Sequence, residues 1–78
     1  MSNEQNEYIF KALRETAKKM ADLKEFNVVV ILKTIEEYEQ AGVEEYFIEQ
    51  QRAQLVKVYA RIAELEDKSR RLLEHLEG

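Results

Sequence analysis

Residues 55–76 read LVKVYARIAELEDKSRRLLEHL, and the spacing within this stretch decides the fold class. Leu55, Val58, Ile62, Leu65, Ser69, Leu72 and Leu76 recur at alternating steps of three and four. That is a heptad seam, the pattern by which one helix buries itself along another. Leu55, Ile62, Ser69 and Leu76 take position a, and Val58, Leu65 and Leu72 take position d. A second stripe of mostly small residues, Ala53, Val56, Ala60 and Ala63, lies on the opposite side. A helix that is apolar on two sides points to a second copy of the chain as one of its neighbours. Leu55, Val58, Ile62, Leu65, Leu72 and Leu76 are the expected self-association residues.

Upstream of this seam, Gly42 marks a boundary, because a helix C-terminus favours glycine at positive φ. The long helix is therefore expected over about residues 43–76, with Glu44 and Glu45 in its first turn, where the helix dipole favours negative charge. A shorter helix is expected over 28–41, its stripe formed by Val28, Ile31, Ile35 and Tyr38, with Asn27 as the cap. The run Val28-Val29-Val30-Ile31-Leu32 is also compatible with a buried strand, since four of its five residues are β-branched. Helix is preferred because the helical spacing continues through Ile35 and Tyr38 and no second strand candidate exists to pair with it. A first helix is expected over 4–23, capped by Ser2 or Asn3. Ile9, Leu13, Thr16, Met20 and Leu23 form its inner stripe. Residues 24–27 are read as the break between the first two helices.

The expected fold is all-α, a single helical domain over residues 1–78: two shorter helices and a long C-terminal one, assembling as a helical-bundle oligomer, with a homodimer as the simplest form. Length supports the oligomer. A chain of 78 residues buries only about 60% of the surface its unfolded form exposes. Ordering it costs roughly 1.5 kcal/mol per residue, so chains this small usually need a staple. The sequence has no cysteine for a disulfide, and His75 is its only histidine. Association with a second copy is the remaining means.

Composition narrows the function. The formal net charge is −4, which is not the basic balance of a nucleic-acid binder. No apolar run approaches the roughly 18 residues of a membrane span. The polar, acidic N-terminus is not a secretory signal, and a cytoplasmic location is expected by elimination. There is no glycine-rich phosphate loop, nucleophile elbow or metal-ligand spacing, so neither an enzyme nor a cofactor is expected. His75 is expected to be a surface residue at a helix end.

Glu36, Glu37, Glu39, Glu44, Glu45 and Glu49 form an acidic cluster with no intervening lysine or arginine. It is either a solvated face or a dock for a basic protein surface. The expected function is a small non-catalytic adaptor or regulator that binds protein and self-associates through its C-terminal helix. The alternative is a dimeric DNA-binding regulator with a helix-turn-helix-like segment around residues 28–57. The second helix of that segment opens with Glu44 and Glu45, which would repel phosphate, so nucleic acid is the less favoured partner.

Overall fold

The structure, a computed structural model, describes residues 2–76, with side chains described from Glu4 to Leu76. The capping role expected of Ser2 or Asn3 concerns side chains outside that range. Every regular element is helical: α1 (Ser2–Asp22), a π-helical turn (Leu23–Asn27), α2 (Val28–Ala41) and α3 (Glu45–Glu74). Among the described residues there is no strand, and Val28–Leu32 is helical.

The first three elements form one continuous rod, so the chain is a hairpin of two helices rather than a set of three. The π-helical turn explains why. On the rod, the inner stripe of buried or half-buried residues is Asn6, Ile9, Leu13, Thr16, Met20 and Leu23, and then Val28, Ile31, Ile35 and Tyr38, with Ala12, Ala21 and Thr34 half-buried beside it. Each set steps by three and four, but Leu23 and Val28 are five apart, one more than the heptad allows. A π turn holds one residue more than an α turn. The Val28 N–H donates to the Leu23 carbonyl, closing that wider turn. The extra residue is absorbed there and both stripes stay on one side of the rod.

The expected break over residues 24–27 is therefore a change of helix pitch rather than a chain reversal. Asn27 is not a cap: its φ of −63° and ψ of −47° are helical, and its side chain makes no capping hydrogen bond. The disparity in length expected between a short first helix and a long last one also disappears. The rod runs the whole length of the molecule, whose extents are 61 × 15 × 12 Å, and α3 packs against α1, the π-helical turn and α2.

The reversal comes at Gly42, as its position in the sequence indicates. Its φ is 70°, a left-handed conformation that costs other residues roughly 1–2 kcal/mol. The Gly42 N–H donates to the Glu39 carbonyl at 3.3 Å, and the Val43 N–H to the Tyr38 carbonyl at 3.0 Å. This pair of bonds is the Schellman motif, which satisfies the last carbonyls of α2. Glu44 is extended, with ψ 141°, and turns the chain into α3.

The buried core between rod and α3 is narrow. It comprises Ile9, Ile48, Ile62, Leu65 and the polar Thr16. The Thr16 hydroxyl donates to the Ala12 carbonyl at 2.7 Å, which removes the penalty of burying it unpaired.

Candidate functional site

The heptad seam of α3 faces the interior of the hairpin. Ile62 and Leu65 are buried, and Leu55, Val58, Leu72 and Leu76 are half-buried. Within one chain it is α1, the π-helical turn and α2 that cover them. Ser69, the polar member of the seam, is half-buried among them. The opposite stripe, Ala53, Val56, Ala60 and Ala63, is exposed.

A larger apolar surface lies beside the seam. The ion pair between Arg52 and Glu39 crosses from α3 to α2 at 3.4 Å, which shows that these two positions border the seam on the same side. Each follows a seam residue directly, Glu39 after Tyr38 and Arg52 after Gln51. Heptad spacing carries the same border along both helices. With the extra residue of the π-helical turn counted, it passes through Leu32, Lys24, Ala17 and Phe10 on the rod, and through Tyr59, Glu66 and Leu73 on α3. Phe10, Leu32, Tyr59 and Leu73 are all exposed. Val29 and Val56, also exposed, widen this flank outward. The other border of the seam carries Phe47, Gln54, Arg61 and Lys68 on α3 and Ala12, Lys19 and Thr34 on the rod; it is mostly polar, with Phe47 its exposed aromatic.

The acidic cluster surrounds the hairpin turn. All six carboxylates, Glu36, Glu37, Glu39, Glu44, Glu45 and Glu49, belong to exposed residues. The fold adds a cation that linear spacing did not single out. Arg52 reaches back to Glu39, to Glu45 at 2.9 Å and to Glu49. Hydrogen bonds to Glu49 first and Glu45 second hold its guanidinium above the ordinary arginine range. Three glutamates thus share one arginine. Its i+3 relation to Glu49 was visible in the sequence, but the link to Glu39 requires the turn to bring α2 beside α3. Gln40 donates a longer bond to Glu36, 3.4 Å.

The three consecutive bulky residues at the start of α3, Tyr46, Phe47 and Ile48, divide. Ile48 is buried, whereas Tyr46 and Phe47 are exposed. The two rings meet edge to face with centroids 5.3 Å apart, and the Tyr46 hydroxyl accepts from Gln50 Nε2 at 2.8 Å.

At the open end of the hairpin a groove runs between the start of α1 and the end of α3, bordered by Tyr8, Ile9, Arg71, Leu72 and His75. His75 Nδ1 lies 2.7 Å from the Arg71 carbonyl. A carbonyl can only accept, so that nitrogen carries the proton. The ring satisfies a carbonyl of the last turn, which is a helix-ending role. Among the described residues, no group of three or more His, Cys, Asp and Glu side chains is placed to hold a metal. No described helix is long and apolar enough to cross a membrane. No family model, curated protein or solved structure matches the chain.

Proposed function

We propose that this chain is a non-catalytic helical interaction module, an adaptor or regulator that works by binding protein and associates with itself, with α3 contributing to the contact. The observation that supports this reading is the imbalance of its apolar surface. Among the described residues, eleven large apolar side chains are exposed and only four are buried. Scattered exposed apolar residues are normal, but grouped ones mark interaction surfaces. The exposed carboxylates at the turn favour a basic protein surface as a further partner. The alternative of DNA reading has less support. A helix-turn-helix crosses its helices at about 90–120°, whereas α2 and α3 lie alongside each other in a molecule only 15 × 12 Å in cross-section.

Sedimentation equilibrium at micromolar concentration, paired with a titration of labelled duplex DNA over a range of salt, tests this reading. The expected result is a species heavier than 9.3 kDa and no DNA binding. A 9.3 kDa species alone, or DNA binding that weakens steeply with salt, would overturn it.

A further inference from the structure

We propose that a second copy of this chain covers the flank carrying Phe10, Leu32, Tyr59 and Leu73, and that the two hairpins lie with their turns at opposite ends. The proposal rests on the self-association reading above and adds the face and the orientation.

Area is the first argument. The chain exposes 6155 Å². A compact monomer of 9.3 kDa would expose about 5,000 Å². The excess, roughly 1,200 Å² per copy, corresponds to about 2,400 Å² for a pair, inside the range of obligate homodimer interfaces. Such interfaces are more apolar than the rest of the surface. The flank that begins at the Glu39–Arg52 pair is the broader apolar side of the hairpin, with Phe10, Leu32, Tyr59 and Leu73 exposed along it, whereas Phe47 is the large apolar residue of the opposite border. Two flat two-helix layers stacked through these flanks make a four-helix bundle. Residues exposed in one chain then become its core.

Charge sets the orientation. Residues 33–52 contain six glutamates, one lysine and one arginine, a net −4, which is the entire formal charge of the chain. The remaining residues hold ten acidic and ten basic side chains. With both turns at the same end, two clusters of net −4 would adjoin. With the turns at opposite ends they stand about 45–50 Å apart, at 1.5 Å per residue of overlapping helix. That distance is several times the screening length of about 8 Å at physiological salt. Each acidic turn then lies near the partner's open end, where Arg70 and Arg71 pair with Asp67. Residues 1–10 and 67–76 together hold four acidic and three basic side chains, a net −1, so this neighbour repels a turn less than a second turn of net −4 would.

The sequence has no cysteine, so single cysteines report cleanly in the full chain. A nitroxide on Gln40→Cys, an exposed site near the turn, is expected to give an inter-label distance above about 40 Å. A distance below about 25 Å would overturn the orientation. Ala17→Cys, on the flank, is expected to alkylate about tenfold more slowly than Ala60→Cys, on the outer side, since each 1.4 kcal/mol of protection is a factor of ten. Equal rates would overturn the face. The double variant Leu32→Glu/Tyr59→Glu should weaken association by about 100-fold or more, while Val30→Glu/Gln54→Glu leaves it unchanged. If the second pair dissociates the protein and the first does not, self-association stands and the face is wrong. A wild-type protein that remains monomeric removes both this inference and the reading beneath it.

Discussion

Deleting Glu25 should leave this protein as stable as before, which few single-residue deletions inside a helix would do. The π-helical turn at Leu23–Asn27 contains one residue more than an α-helix needs to keep Leu23 and Val28 on the same face. Removing Glu25, which is exposed, places Val28 four residues after Leu23, and both stripes fall into a single heptad register. The wider turn becomes ordinary α-helix without turning any inner residue away from α3. The expected change is within about 1 kcal/mol, in either direction.

Deleting Lys33, equally exposed, is the contrasting case. It rotates the end of α2 by one position relative to its start. Ile35 and Tyr38 leave the seam, and Glu36 and Glu39 enter it. Ile35 and Tyr38 are half-buried. Their loss is worth about 2–3 kcal/mol, and turning two carboxylates inward adds at least as much. The total, about 4 kcal/mol or more, is a large part of the 4–12 kcal/mol expected of a chain this size. At about 4–8 °C per kcal/mol it lowers the melting temperature by 15 °C or more. Urea and thermal unfolding followed by circular dichroism, at one fixed protein concentration, measure both variants. Comparable losses in the two would show that the π turn does not correct the phase of the stripes.

Three further substitutions, with Val30→Ala as a surface control, probe the core, the turn and the acidic end. Leu65 is 2% exposed, so Leu65→Ala should cost about 2–5 kcal/mol, whereas Val30→Ala, at an exposed site, should change stability by less than about 0.5 kcal/mol; equal urea midpoints would contradict the assigned core. Gly42→Ala should cost about 1 kcal/mol from the positive φ alone, because no atom lies within 4 Å of the added methyl; a much larger loss in thermal unfolding would point to a steric clash the structure does not contain. Arg52→Ala should lower the melting temperature slightly at low salt, and the difference should vanish in molar salt, because its three ion pairs are exposed. The pKa of Arg52 is raised, so its contribution is present below the ordinary arginine range and lost only above it. Melting curves between about pH 6 and 9 should therefore show no change linked to this residue.

Several features were legible in the sequence because their causes are local. The alternation of three and four from Leu55 to Leu76 dictates a helix with one buried side, whatever covers it. Gly42 dictates the reversal, since it alone reaches positive φ without penalty. The run from Val28 to Leu32 reads as helix because its phase continues through Ile35 and Tyr38. The six glutamates around the turn are exposed, as their charge requires.

The gap of five between Leu23 and Val28 was also visible, but it has two local solutions. The chain can break there, or it can widen one turn, and intrinsic propensities separate the two weakly. Packing against α3 favours the widened turn, because an unbroken rod carries both stripes along the long helix. For the same reason the sequence determined that α3 has a seam, and the tertiary structure decided that the rod of the same chain lies against it. A heptad pattern is a property of one helix and does not name its neighbour. The joining of Arg52 to Glu39, thirteen residues away, and the gathering of Leu32 and Tyr59 on one flank exist only once the hairpin closes and brings the two helices side by side.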